Sequence, residues 1–221
     1  IYNDGGHYVA VPRLNKSKKG VCAGRELTSV DIAFNSLYSR AVENGLSKNA
    51  LADYVQDEMT TLFPGITDMR GFVAEKIICK HKNLYNRKKR FRRKAYLNKW
   101  NYFVTITFDD KKHDEVSFRK KLRRCLSNLH TRRGWKYMGV FEYAPETHRL
   151  HFHAIMYIPD GEMIGNITEL RDYSTAQGQM QTTHSNTFFA DSFGRNDFEQ
   201  LNEQELRHGG TINYLLKYIS K

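Results

Sequence analysis

The sequence predicts an α+β fold, a central antiparallel sheet with flanking helices behind a mostly helical N-terminal region, and three observations carry that prediction. Helical periodicity fills most of the first hundred residues. The texture switches at Tyr102 to alternating β-branched and aromatic residues, and two further alternating runs follow, joined by a short polar connection. With 221 residues, 40% of them apolar, the chain has material for one sizeable core, or one core with a smaller helical appendage. Its 13 Phe and 13 Tyr, with no enrichment in Gly, Pro or Ser, exclude wholesale disorder.

The elements follow in order. Residues 1–28 mix Gly, Lys and small side chains without periodicity and are expected to form a flexible arm. From Ser29, the residues Ile32, Leu37 and Val42 and their neighbours are assigned to one helical stripe ending near Asn44-Gly45. Ser47 is placed to cap a second helix carrying Leu51, Tyr54, Val55 and Met59 up to Pro64-Gly65. A third helical pattern starts near Thr67 and can run to Lys99, which makes residues 29–100 a helical region and 101–221 a second domain. Phe103 to Phe108 reads as a strand, and Phe118, Leu122, Cys125, Leu126 and Leu129 as the apolar stripe of the next helix, ringed by Arg119, Lys120, Lys121, Arg123 and Arg124. Lys136 to Tyr143 and Leu150 to Ile158 form an expected hairpin. Residues 160–203 are polar, punctuated by Gly161, Gly165, Gly178 and Gly194, and are expected to be loops with short helical or strand pieces. A final helix starts at Thr211, after Gly209-Gly210, and runs to the end.

Charge and cysteine usage narrow the function classes. The net charge is +11, and residues 76–100 alone hold 11 Lys or Arg with no acid, so the remaining 24 basic residues balance the 24 acids. The whole excess lies in one segment, including Arg87, Lys88, Lys89, Arg90, Arg92, Arg93 and Lys94, and a polyanion such as nucleic acid is its natural partner. A solvated helix face or a basic targeting tract is the other reading of that segment. Tyr85, Phe91, Tyr96 and Trp100, interleaved with it, can stack on bases or pack locally. No apolar run approaches the roughly 20 residues a membrane helix needs, and there is no signal-peptide pattern. Cys22, Cys79 and Cys125 lie far apart without a CxxC, against a disulfide framework or structural zinc and for a reducing, cytoplasmic setting. The chain starts without an initiator Met and stops just after its last motif, so it is expected to be part of a longer protein.

Two clusters can carry chemistry. In His151-Phe152-His153 the period of two puts both imidazoles on one sheet face and Leu150, Phe152, Ala154 and Met156 on the other. Glu142, on the preceding strand, can lie near His151 across the hairpin, and a carboxylate with two imidazoles can bind one divalent ion. Two structurally satisfied histidines beside an unrelated glutamate are the alternative. In the last helix Ile212, Leu215, Leu216 and Ile219 centre on one side, with Tyr214, Lys217, Tyr218 and Lys221 opposite. A phenol with a pKa of about 10 is a poor nucleophile at neutral pH, but a nearby ammonium and a polarised electrophile make attack feasible. An ordinary amphipathic helix fits the same pattern.

Together, the strand at Phe103 to Phe108, the HFH triplet and the tail from Tyr214 to Lys221 resemble the three motifs of HUH endonucleases, named for two histidines flanking a hydrophobic residue. Their order is that of replication initiators, since in relaxases the tyrosine precedes the histidines. The doubled pattern Tyr214-x-x-Lys217-Tyr218-x-x-Lys221 is similar to the two-tyrosine initiators of microviruses and of related plasmid or prophage elements. The resemblance covers residues 102–221, and no helicase motif accompanies it.

That resemblance implies a ferredoxin/RRM-like sheet and Mg²⁺ or Mn²⁺ bound by His151, His153 and Glu142. It also implies attack by Tyr214 or Tyr218 on single-stranded DNA, leaving a 5′-phosphotyrosine and a free 3′-OH that primes rolling-circle replication. Lys217 and Lys221 would hold the phosphate or support the phenolate. Its implied partners are a single-stranded origin, which can be a hairpin, and host replication proteins in a bacterial cytoplasm, with no membrane. The residues leave three other readings open: a non-catalytic basic DNA-binding module, a metal-dependent hydrolase that leaves no protein-linked DNA, and a single-tyrosine transposase or relaxase.

Overall fold

In a computed structural model of the chain, residues 2–3, 8–9, 26–144, 148–174, 178–202, 204, 206 and 209–219 are described. The elements run β1 (Tyr2–Asn3), β2 (Tyr8–Val9), α1 (Ser29–Glu43), α2 (Lys48–Leu62), α3 (Met69–Tyr96), β3 (Tyr102–Thr107), α4 (Glu115–Arg133), β4 (Lys136–Tyr143), β5 (Leu150–Tyr157), β6 (Ile167–Ser174), β7 (Gln179–Asn186), α5 (Thr187–Ser192), β8 (Asn196–Gln200) and α6 (Gly210–Tyr218). They form two units, residues 11–86 and residues 1–10 with 87–221, and the division falls inside α3. Most of the expected N-terminal arm, with Cys22, lies outside the described residues.

In the first unit, α1 starts from a capping box in which Thr28 and Asp31 satisfy each other's backbone N–H groups. Ser47 caps α2 by accepting from the Ala50 N–H at 3.4 Å. Phe34, Leu37 and Ala41 of α1 pack with Leu51, Val55 and Met59 of α2 and with Met69, Val73 and Ile77 of α3. Each set repeats at three- or four-residue spacing, which keeps it on one helix face. Ile32 and Val42, expected in the α1 stripe, are instead exposed at 57% and 47%. They stand five residues from Leu37, about 140° around the helix, too far to share its face. Asp31 also binds the Lys76 ammonium, tying the α1 N-terminus to α3.

The second unit is built on an antiparallel sheet of order β4-β5-β3-β8. Alternation assigns its two faces. Val104 and Ile106 of β3 and Leu150, Phe152, Ala154 and Met156 of β5 turn to a core completed by Phe118, Leu122, Leu126 and Leu129 of α4. The helix α4 is capped by Asp114, which accepts from the Ser117 N–H at 2.7 Å, and it ends at Gly134, whose φ of 69° suits glycine. Trp135, fully buried, donates its indole N–H to the Glu162 carbonyl at 2.9 Å. Residues 160–203 are more ordered than the sequence predicts: β6 and β7 make a hairpin of eight residues a side, and β8 completes the sheet edge. Buried Asn186 and Asn196 lock the end of β7 to the start of β8, through Asn186 N–H to Asn196 Oδ1 at 2.7 Å and Asn196 Nδ2 to the Asn186 carbonyl at 3.2 Å. Among the described residues no helix is long and apolar enough to cross a membrane, and Cys79 and Cys125 are free thiols.

Candidate active site

The sheet face away from α4 carries the histidines. In register, β3 sets Thr105 opposite His153 and Thr107 opposite His151, while β4 sets Glu142 opposite His151. Each imidazole meets a hydroxyl: Thr107 Oγ1 lies 2.6 Å from His151 Nδ1 and Thr105 Oγ1 lies 3.1 Å from His153 Nδ1. A ring that gives its Nδ1–H to a threonine oxygen keeps the Nε2 lone pair for another partner. Glu142, 8% exposed, reaches diagonally past its register partner, with Oε2 3.3 Å from His153 Nε2. In that tautomer two acceptors face each other, an arrangement a cation relieves.

The electrostatics favour neutral rings. Burial, with His151 as a secondary influence, pushes His153 down to about 4. Burial first, then Arg149 and Arg195, lowers His151. Neutral imidazole is the form that ligates metals. The donor set thus fits a divalent ion in kind, although no three His, Cys, Asp or Glu side chains among the described residues close into a ready cluster. The His151 and His153 rings stack at 5.9 Å and 22°.

The last helix covers this face. Ile212, Leu215, Leu216 and Ile219 are buried, which turns Tyr214 and Tyr218 to the histidines. The Tyr218 ring stacks on His153 at 5.6 Å and 17°, and Tyr214 meets the same imidazole edge-on at 5.8 Å and 88°. The two phenols lie 4.8 Å apart, and Phe103 supports Tyr214 at 5.7 Å. Burial, with interactions to Tyr214 and Glu142, raises the Tyr218 hydroxyl well above the usual tyrosine range. Tyr214 is 41% exposed and Tyr218 half-buried, so one phenol faces solvent while the other leans on the ring. Lys217 is exposed on the same helix, and Lys221 lies outside the described residues.

Four site residues escape sequence reasoning. Thr105 and Thr107 become partners of the histidines only through a β3–β5 pairing that spans more than forty residues. Arg149 had a signal, because its parity matches that of His151 and His153; its Nη2 donates to the Phe108 carbonyl at 3.2 Å and to Asp110 Oδ2 at 3.0 Å. Arg195 had none: its carbonyl accepts the Thr107 N–H at 2.8 Å, which brings it beside β3.

The basic segment goes elsewhere. Arg87, Arg90 and Lys94, spaced along one side of α3, line a groove against α4 and the outer edge of β4, toward the sheet face opposite the histidines. Lys88, Lys89, Arg92 and Arg93 do not line it. Of the interleaved aromatics, Trp100 is buried and donates to the Ala95 carbonyl at 2.6 Å, whereas Tyr85 is 63% exposed.

No curated protein matches the chain. Residues 101–221, more than half of it and the span that carries every residue of this site, match the model of the replication-associated protein ORF2 family, and the chain belongs to that family.

Proposed function

We propose that the chain nicks and rejoins single-stranded DNA through a tyrosine of α6, as an initiator of rolling-circle replication. The observation that carries this reading is the convergence of two tyrosines on one metal-type histidine: both phenol rings lie within 6 Å of the His153 ring. A Glu/His/His hydrolase would have no use for that pair.

The chain's own residues do the following. Tyr214 or Tyr218 attacks phosphorus through its phenol oxygen. A P–O bond to tyrosine forms as the bond to the 3′-oxygen breaks, and the phenol proton is balanced by the one the 3′-oxygen gains. The products are a 5′-phosphotyrosine and a free 3′-OH, and because the phosphodiester energy stays in the covalent link, a 3′-OH can later reverse the step. The second tyrosine, one turn away, can cut again while the first link persists. Glu142 lies where the Tyr218 hydroxyl can hand over its proton. His151, His153 and Glu142 would hold Mg²⁺ or Mn²⁺, whose chemistry there is Lewis-acid stabilisation of charge on the phosphate oxygens. Arg149 and Arg195 add positive charge beside His151, and Lys217 and Lys221 extend it along α6. The cations from Arg87 to Lys94 hold the phosphate backbone away from the cut.

Incubation with origin-derived single-stranded DNA and Mn²⁺ should give a denaturant-stable protein–DNA adduct that a chelator abolishes. Cut DNA without a protein-linked end would establish the hydrolase reading instead. Binding without cutting would leave only the DNA-binding module.

A further inference from the structure

We infer that the groove between the end of α3, α4 and the β4 edge is a second nucleic-acid site, on the back of the sheet, which grips a single strand entering or leaving the cutting face. The inference rests on the reading that DNA is the substrate. The groove has a volume of about 700 Å³, in the range of about 300–1,000 Å³ that encloses small-molecule-sized groups such as a nucleotide.

Its chemistry is that of a strand-binding channel. Arg87, Arg90 and Lys94 line one wall and Arg123 the other, with Phe91 and Tyr137 between them, and no carboxylate is among the lining residues. Four cations around half-buried aromatic rings match a phosphate backbone with bases that stack. The floor is already arranged for flat groups: Arg119 and Arg123 lie over the Phe141 ring at 4.6 and 5.6 Å. Gly139 keeps the floor low, because a Cβ there would stand 2.5 Å from Phe152 Cζ and 2.7 Å from the His153 carbonyl.

The path to the cutting face is short. β4 is the edge strand, and its residues alternate between the two surfaces, with Phe141 in the groove and Glu142 beside His153. A strand lying in the groove therefore reaches the tyrosines by turning around the width of one β-strand, about 5 Å.

The test measures binding of fluorescent oligo-dT in EDTA, where no metal-dependent linkage forms, so it does not depend on the nuclease reading. Arg123→Glu should weaken binding about tenfold and lower the salt slope, Phe91→Ala should weaken it with the slope kept, and Arg123→Lys should stay near wild type. Photocrosslinking of 5-iodouracil oligonucleotides should label Phe91 or Tyr137. Equal affinity for Arg123→Glu and wild type, crosslinks confined to the Tyr214 face, or displacement by poly-glutamate as readily as by DNA would each overturn the site. Loss of adduct formation with groove binding intact would instead count against the nuclease reading alone.

Discussion

A histidine ligates a metal only through a nitrogen with a free lone pair, and on β5 two threonines of β3 decide which nitrogen that is. Thr107 holds His151 Nδ1 at 2.6 Å, so Thr107→Val leaves the ring without its anchor at nearly constant volume. The Mn²⁺ concentration needed for half-maximal adduct formation should rise about 10–100-fold, and Thr107→Ser should recover most of it. A Thr107→Val protein with an unchanged metal requirement would detach the threonine from the site. Gly139 makes a different residue-scale prediction. A Cβ at that position would stand 2.5 Å from Phe152 Cζ and 2.7 Å from the His153 carbonyl, so neighbours must shift. Gly139→Ala should cost about 1–3 kcal/mol in denaturant unfolding, the range for overpacking a filled core.

At the scale of elements, the sequence was most readable where one face is apolar and the other is not. HFH and the last helix obey that rule, so periodicity alone oriented His151, His153, Tyr214 and Tyr218, and the structure has them facing one another. The β6–β7 hairpin breaks it. Leu170, Tyr173 and Met180 are more than half exposed, so no buried face imprinted alternation on residues 160–203. The α1 stripe failed for a simpler reason, since Ile32 and Leu37 cannot share a helix face. The N-terminus of α1 carries its own pH signature. Asp31, held to about 2 from an ordinary 3.8 by the Lys76 ammonium and the Thr28 hydroxyl, binds its proton more weakly folded than unfolded. Its contribution is therefore complete above the ordinary carboxylate range and disappears as pH falls from about 4 toward 2. Unfolding followed by circular dichroism should show wild type losing more stability across that window than Asp31→Asn. Parallel losses would contradict the assignment.

Across the whole molecule, the localisation of charge is the feature composition revealed and geometry redirected. The excess of +11 lies in residues 76–100, yet Arg87, Arg90 and Lys94 line a groove toward the sheet face opposite the histidines. No linear reading could tell which face α3 would meet, because that depends on α4 and on β4 being the edge strand. Neutralising Arg87, Lys88 and Lys89 to Gln removes three cations, and the slope of log affinity against log salt should fall by about two for single-stranded DNA. An unchanged slope would mean that these side chains contact no phosphate.

The claim on which the rest depends is that a tyrosine of α6 becomes joined to the 5′ end of cut DNA. Single-stranded origin DNA labelled at its 3′ end and incubated with Mn²⁺ should carry its label into the protein band of a denaturing gel, and the label should vanish from that band when Tyr214→Phe and Tyr218→Phe are combined. A labelled protein band that survives in the double variant, or one that arises only from 5′-labelled DNA, would contradict the account.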